Sequence, residues 1–165
     1  MNNEEQTDAH DENSDTGPIC EFVTLYIGEQ VFGIAVDDIR EVFHPHAITR
    51  VPLAPPEIRG VLNLRGRIVT AIEVRTRLNL PPLEQDSNSI MAIGVEVENE
   101  AFGLIIDRVG DVLQLPERDC EPIPSNMDPV WQRVSSGIYR LEGQLLIILD
   151  IQRLLGIEVQ TDLAA

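Results

Sequence analysis

The 165-residue chain contains no lysine, so arginine supplies all twelve of its basic side chains. Against these stand 28 acidic residues, which give a formal net charge of −16. A surface of that sign repels nucleic acids and anionic membranes. Aromatic residues make up only 4% of the chain, which argues against an aromatic binding platform and favours aliphatic packing. We therefore expect protein partners and no nucleic acid, because arginine pairs well with carboxylates at interfaces.

Cysteine is also scarce, since Cys20 and Cys120 are the only two and match no metal-ligand spacing. We expect two buried, reduced thiols, with a disulfide between them as the alternative. No apolar run approaches the roughly 20 residues that a membrane span needs. The N-terminus lacks the basic and apolar regions of a signal peptide. These absences predict a cytoplasmic protein that does not insert into the membrane.

Motifs of catalysis and cofactor binding are absent as well. The sequence has no Gly-rich phosphate loop, paired-histidine metalloprotease motif or nucleophile elbow. His44 and His46 could bind a metal, but a solvated loop is the better interpretation of two histidines around a proline. Asp37 and Asp107 are interpreted as caps of short helical segments. We expect no enzyme activity, no metal and no cofactor.

Composition divides the chain into a folded region and two tails. Residues 1–18 are acidic and nearly free of apolar side chains, which predicts a disordered acidic tail. The alternative is an autoinhibitory strip that folds back onto the arginines. We assign residues 19–160 to the folded domain, with two subdomains divided near 83–89 and terminal strands able to cross over. Residues 161–165 form a C-terminal tail.

Short apolar runs separated by turn residues predict a mainly β structure. The predicted strands are 21–27, 31–36, 48–51, 61–62, 68–74, 90–97, 101–106, 137–141 and 145–151. Short helical turns are predicted at 37–42, after Pro56, at 75–80 and at 152–155, while 107–112 is helical or extended. The connection 116–129 is predicted to be irregular.

The two halves of the chain resemble each other. At an offset of 70 residues Phe32 corresponds to Phe102, and at an offset of 77 residues Gly66 corresponds to Gly143. Each half is therefore predicted to form a unit of about five strands that shares a core with its twin. The stretch 63–67 (Asn-Leu-Arg-Gly-Arg) aligns with 140–144 (Arg-Leu-Glu-Gly-Gln). Leucine and glycine recur, so the turn is interpreted as scaffold, whereas its positive charge is specific to the first half.

That turn also lies in a basic cluster within an acidic chain. Five of the twelve arginines fall in or near it: Arg59, Arg65, Arg67, Arg75 and Arg77. Arginine favours bidentate pairing with carboxylates at interfaces, and for Arg65 a structural ion pair with a neighbouring strand is the alternative.

Several blocks of sequence carry a family resemblance: Phe32-Gly33-Ile34 with Val36-x-x-Ile39-x-Glu41-Val42, then Ile58-Arg59-Gly60-Val61-Leu62-Asn63-Leu64-Arg65-Gly66, then the apolar runs 102–109 and 145–150. Together, over residues 20–158, they resemble the CheW-type chemotaxis coupling proteins. The resemblance implies a mostly all-β fold of two SH3-like five-stranded β-barrel subdomains that share a core, with a few short helical turns. It also implies an adaptor, monomeric in isolation, that joins chemoreceptor tips to the regulatory domain of a CheA-type histidine kinase beneath receptor arrays.

The resemblance implies partner contacts for ten residues: Val36, Ile39, Glu41, Val42, Arg59, Asn63, Arg65, Gly66, Val109 and Val112. Other interpretations stay open at this point, namely core packing for the aliphatic residues, a solvated charge for Glu41 and a structural ion pair for Arg65. Two alternative functions are also open. One is a small-ligand sensor that uses the groove between the barrels, and the other is an adaptor in a related non-flagellar chemosensory pathway.

Overall fold

The computed structural model describes residues 17–81 and 90–156, and most of them form strands. The elements are β1 (Ile19–Ile27), β2 (Gln30–Ala35), β3 (Ile39–Phe43), β4 (Ile58–Leu64), β5 (Arg67–Glu73), α1 (Val74–Arg77), β6 (Met91–Val97), β7 (Glu100–Ile106), β8 (Arg108–Pro116), α2 (Pro129–Val134), β9 (Ser135–Leu141), β10 (Gln144–Leu149) and α3 (Ile151–Leu154). Single 3-10 turns cover Val36–Asp38 and Glu117–Asp119. The mainly β fold predicted from sequence is confirmed.

The strands form two five-stranded sheets, which we call the terminal barrel and the central barrel. The terminal barrel has the order β8-β1-β2-β10-β9 and the central barrel the order β3-β6-β7-β5-β4. Each strand of one barrel has a counterpart in the other whose strand number differs by five. Replacing every strand by that counterpart converts one order into the other. The parallel pairs also match, because Ile147 faces Phe32 in one barrel and Thr70 faces Phe102 in the other. The internal repeat predicted from the sequence is therefore confirmed.

The repeats are interleaved, however. β1 and β2 from the first repeat pair with β8, β9 and β10 from the second, while β3, β4 and β5 pair with β6 and β7. The prediction that each half of the chain forms its own five-stranded unit is wrong, because each barrel takes strands from both halves. The predicted division at 83–89 and the tail segments 1–16 and 161–165 lie outside the described residues.

Each central strand buries both of its faces, one in a barrel and one between the barrels. In β10, Leu146 and Ile148 point into the terminal barrel, whereas Ile147 and Leu149 enter a core shared by both barrels. Phe32 of β2 lies in the same shared core. Burial on both faces explains why β10 is an unbroken apolar run rather than an alternating one.

Several local predictions need correction. The segment predicted to be helical at 37–42 is a 3-10 turn followed by β3, which pairs with β6. The predicted strand at 48–51 is reduced to one bridge between Thr49 and Val61. Residues 56–57 form a turn without a helix. Of the two states predicted for 107–112, the extended one is present, since β8 begins at Arg108. The connection predicted to be irregular ends in α2, whose first residue is Pro129 and whose N-cap is Asp128.

The capping roles predicted for Asp37 and Asp107 are also wrong. The 3-10 turn that contains Asp37 has no side-chain cap. The carboxylate of Asp107 accepts hydrogen bonds from Arg75 and from the backbone amide of Gly28 instead. Asp37 lies inside that 3-10 turn and Asp107 lies between β7 and β8, so no α-helix begins at either aspartate.

Candidate partner-binding site

An ion pair links the two edges of the central barrel. Arg65, in the turn between β4 and β5, lies with Nη2 2.7 Å from Oε2 of Glu41 on β3. The turn is shaped by Asn63, whose Oδ1 accepts a 2.8 Å hydrogen bond from the amide of Gly66. Gly66 has a φ of 82°, where a side chain would be strained, and Arg65 itself has a φ of 53°. The turn therefore holds Arg65 outward with a side chain that is 76% exposed.

The carboxylate of Glu41 is only partly satisfied by this pair. Its side chain is 25% exposed, and its second oxygen, Oε1, is buried without a hydrogen-bond partner among the described residues. Gly94 of β6 lies opposite, and a Cβ there would approach Cγ of Glu41 to 3.1 Å. Because Gly94 has no side chain, the side chain of Glu41 can pack closely over it at the rim of the barrel. A buried acceptor without a donor is unfavourable, so a partner that donates a hydrogen bond here would gain affinity.

The terminal barrel offers an internal comparison. Asp111 occupies the place of Glu41 and Glu142 the place of Arg65, at the offsets of 70 and 77 residues. Two carboxylates repel each other, so the equivalent ion pair is impossible in that barrel. The Glu41–Arg65 pair is thus an addition to the shared fold, and the fold itself does not require it.

The predicted aliphatic residues form two pairs related by the repeat. Ile39 and Val109 are half-buried and pack against the shared core from β3 and β8. Val42 and Val112 lie three residues further along the same two strands and are 42% and 55% exposed. Val36 is half-buried in the 3-10 turn before β3. Ile39 and Val109 therefore pack against the shared core and keep part of their surface accessible, whereas Val42 and Val112 are free to contact another molecule.

The basic cluster predicted from sequence is mostly neutralised within the chain. Arg59 pairs with Glu73 at 2.7 Å, and Arg67 with Glu96 at 3.1 Å. The hydrogen bond and charge of Arg67 hold the pKa of the Glu96 carboxyl below its usual value. The remaining members are also engaged: Arg75 binds Asp107, and Arg77 donates to the carbonyl of Leu154. Arg65 is the most exposed arginine of the ion pairs in this cluster.

A cleft opens beside the turn between β6 and β7. Its volume is about 660 Å³, and its walls come from both barrels. They include Asp38 and Asp150, and burial together with the charges of Asp150 and Asp37 raises the pKa of the Asp38 carboxyl. Cys20 and Cys120 also line the cleft. Their convergence could not be read from the sequence, because 100 residues separate them.

Comparison with known proteins assigns the family. A family model described as the CheW-like domain matches residues 21–159. The chain belongs to this family. The CheW chemotaxis protein of Thermotoga maritima is 30% identical, over 82% of this chain and 87% of that protein. The CheW protein of Klebsiella aerogenes is 29% identical, over 84% of this chain and 82% of its own.

A solved structure agrees with this assignment. The crystal structure of the scaffolding protein TtCheW from Thermoanaerobacter tengcongensis superposes with a TM-score of 0.72. It is 28% identical in sequence, and the match covers 81% of this chain and 90% of that one. The two-subdomain SH3-like fold implied by the sequence resemblance is confirmed. Membership of the CheW family makes this chain a chemotaxis adaptor, a scaffold rather than an enzyme.

Membrane-spanning helices and clustered metal ligands are both absent from the described residues. Over 17–81 and 90–156, no helix has the length and apolar character to cross a bilayer. In the same part of the chain, no group of three or more His, Cys, Asp or Glu side chains is arranged to hold a metal ion. His44 and His46 are exposed in the loop after β3.

Proposed function

We propose that this CheW-family adaptor couples the cytoplasmic tips of chemoreceptors to the regulatory domain of a CheA-type histidine kinase, in the cytoplasm beneath receptor arrays. The observation that carries the proposal is the Glu41–Arg65 pair, which one barrel has and the other lacks. Its arginine is largely exposed, and its glutamate keeps one buried oxygen without a donor. A surface with these properties suits a charged contact with a second protein.

The apolar part of the proposed contact lies along β3 and β8. Ile39 and Val109 approach the shared core from different barrels, and we propose that they line the groove for a receptor helix. Val42 and Val112 extend the apolar surface on the two edge strands. A helix with an apolar stripe is a suitable occupant for such a groove. Each contact is small, and repetition within a lattice would supply the avidity that one contact lacks.

The proposal is tested by reconstitution. Receptor-bearing membranes, kinase and this protein are sedimented together, and kinase autophosphorylation is measured with and without the protein. We expect Arg65→Glu to lower kinase stimulation by about tenfold or more, equivalent to about 1.4 kcal/mol of lost contact energy. Its thermal melt should change little, because exposed ion pairs contribute about 1 kcal/mol or less. If the unaltered protein binds neither component at micromolar concentration, the proposal is wrong.

A charge swap separates a partner contact from a structural ion pair. The double variant Glu41→Arg with Arg65→Glu restores an internal pair of opposite charges, with the two signs exchanged. If Arg65 contacts a partner, coupling stays impaired in the double variant although the internal ion pair is restored. Recovery of coupling would instead show that Arg65 acts only through its pair with Glu41. The matched control is Arg140→Glu, which disrupts a similarly exposed pair on the terminal barrel, with Glu121.

The small-ligand sensor has one observation in its favour, the cleft of about 660 Å³. That volume lies within the range of small-molecule sites. Thermal stabilisation by a metabolite, together with no binding to receptor or kinase, would support the sensor and exclude the coupling role. Binding to receptor and kinase with no ligand-dependent stabilisation would exclude the sensor.

A further inference from the structure

The fold brings the two cysteines to one wall of the cleft. Cys20 lies in β1, opposite Leu115 of β8. The chain then reverses through the 3-10 turn, where the amide of Cys120 donates to the carbonyl of Glu117 over 3.1 Å. The next residue pairs with β9 through two backbone hydrogen bonds between Glu121 and Ile138, of 2.8 and 2.9 Å. Strand pairing thus fixes the backbone at Cys20 and at Glu121, the residue next to Cys120.

Tyr139 lies close to both thiols, and all three side chains line the cleft. Burial raises the pKa of Tyr139 to about 12, and the neighbouring thiols of Cys120 and Cys20 contribute to the rise. The sulfur of Cys120 lies over Gly137, where a Cβ would come within 2.5 Å of it. Cys20 packs against the interior cluster of the terminal barrel, which contains Tyr139. Both thiols are free, and Cys120 is the exposed one.

The central barrel shows what the fold alone requires at these positions. By the repeat, Ile90 corresponds to Cys20 and Leu62 to Tyr139. Ile48 corresponds to Cys120, because it precedes the bridging residue and lies 2.9 Å from a Cβ built on Gly60, the counterpart of Gly137.

All three aliphatic residues belong to one interior cluster of the central barrel. The three positions therefore converge in both barrels, and aliphatic side chains are sufficient to fill them. The thiols and the hydroxyl in the terminal barrel add reactive groups to a place that needs only apolar volume.

We propose that Cys20 and Cys120 are a dithiol modification site that reacts with small-molecule disulfides to form an intramolecular disulfide. The exposed Cys120 thiolate attacks the reagent, which forms a mixed disulfide and releases one thiolate. The Cys20 thiolate then attacks the Cys120 sulfur and expels the second thiolate. Two protein thiols are oxidised, one reagent disulfide is reduced to two thiols, and the two protons pass to the thiolates released.

The bond would connect the start of β1 to the segment that leads to β9. In a reducing compartment the pair stays a dithiol at rest and closes only when the thiol pool becomes more oxidised. The site belongs to the terminal barrel, whereas the Glu41–Arg65 pair belongs to the central barrel. The dithiol site therefore lies apart from the Glu41–Arg65 pair proposed for coupling, and its test does not depend on receptor or kinase binding.

The test uses the full chain, equilibrated without oxygen in defined mixtures of reduced and oxidised glutathione. Samples in native buffer and in concentrated urea are quenched with acid, alkylated and analysed by mass spectrometry. We expect both free thiols to be lost together and the oxidised product to be a monomer. We also expect the intramolecular disulfide to be favoured in the native chain by about tenfold or more over the unfolded one, because fold and bond stabilise each other reciprocally. The oxidised chain should melt roughly 5 °C higher or more.

Three results would overturn the inference: independent mixed disulfides on each cysteine, disulfide-linked dimers, or an equilibrium no more favourable in native buffer than in urea. The matched controls are Cys20→Ile and Cys120→Ile, which place the central barrel's residue type at each position. Each should fold and form only a mixed disulfide at its remaining thiol. Because each variant keeps only one cysteine, an intramolecular disulfide product detected in either one would show that the wild-type product has been misassigned.

Discussion

Asp107 joins three separate parts of the chain through one carboxylate. It follows β7, and its Oδ1 accepts a 3.0 Å hydrogen bond from Nε of Arg75 in α1. Its Oδ2 accepts a 2.6 Å hydrogen bond from the amide of Gly28, in the turn between β1 and β2. Both charged side chains are largely buried. Since β7 belongs to the central barrel and β1 to the terminal one, this residue links the barrels directly.

Replacing Asp107 should therefore destabilise the whole domain. Asp107→Asn leaves the guanidinium of Arg75 largely buried without a counter-charge, which is costly. We expect the free energy of unfolding to fall by about 2–4 kcal/mol, measured by urea denaturation at neutral pH. Asp111→Asn, on an exposed residue of β8, is the matched control and should change stability by about 0.5 kcal/mol or less. Equal losses from the two variants would contradict this role for Asp107.

The same pair predicts a dependence on pH. Burial raises the pKa of Asp107, but the hydrogen bonds from Arg75 and Gly28 and the charge of Arg75 outweigh it and lower the pKa overall. A carboxyl whose pKa is lower in the fold stabilises it fully above the unfolded value of about 3.9. That contribution is lost as the pH falls through the lower folded value. Urea titrations should therefore show the gap between wild type and Asp107→Asn narrowing below about pH 4.

At this scale the sequence predicted some roles and missed others. The resemblance selected Glu41 and Arg65 separately, and the structure brings them into contact. Asp107 was predicted to be a cap because aspartate before a short segment is a local signal. Its real partner lies 32 residues away, and no local pattern reports a contact at that distance. The proximity of Cys20 and Cys120 stayed open in the sequence for the same reason.

At the scale of elements, two glycines of one hairpin do different work. Gly60 in β4 has a φ of 152°, and a Cβ on it would lie 2.2 Å from the carbonyl oxygen of Thr49. That carbonyl accepts the amide of Val61 over 2.8 Å, so the two backbones must approach closely. Gly66 has a φ of 82°, but nothing lies within 4 Å of a Cβ built there. Gly60 is thus needed for space and conformation, and Gly66 for conformation alone.

Alanine at the two positions should separate these requirements. We expect Gly66→Ala to lower the free energy of unfolding by about 1–2 kcal/mol, the cost of a side chain in a left-handed turn. Gly60→Ala adds a steric clash with backbone that has no flexible end to move, and we expect a loss of about 3 kcal/mol or more. Urea unfolding curves and soluble yield measure the difference. Comparable losses at both sites would mean that the Thr49 segment moves away freely.

Element boundaries were predictable where a turn residue marked them, and uncertain where distant pairing decided them. The hairpins of β6 with β7 and of β9 with β10 follow directly from their turns. β3 was predicted to be helical, because Asp37 and Asp38 resemble a cap. It is extended because it pairs with β6, where Val42 faces Ile93 across about fifty residues of chain. Strand pairing over that distance overrides a weak local preference.

At the scale of the whole molecule, the sequence revealed the repeat and concealed how the repeats are combined. Each repeat supplies five strands with the same alternation, and pairing within or between repeats satisfies that alternation equally well. The structure pairs them between repeats, so each barrel is completed by the other half of the chain. The shared core draws on both barrels, as Phe32 and Phe102 illustrate. The family resemblance predicted the two barrels, whereas the interleaving of the repeats is visible only in the structure.

Interleaving predicts that neither half can fold by itself. Cutting the chain within residues 82–89 leaves β1–β5 in one fragment and β6–β10 in the other. Each fragment then holds two or three strands of each barrel, with unpaired edges and half of the shared core. We expect each purified fragment to lack a cooperative melt, and an equimolar mixture to regain β-type circular dichroism, a single transition and the elution volume of the intact chain. Had each repeat formed its own barrel, both fragments would melt cooperatively alone, so a cooperative transition in either isolated fragment would contradict the interleaved topology.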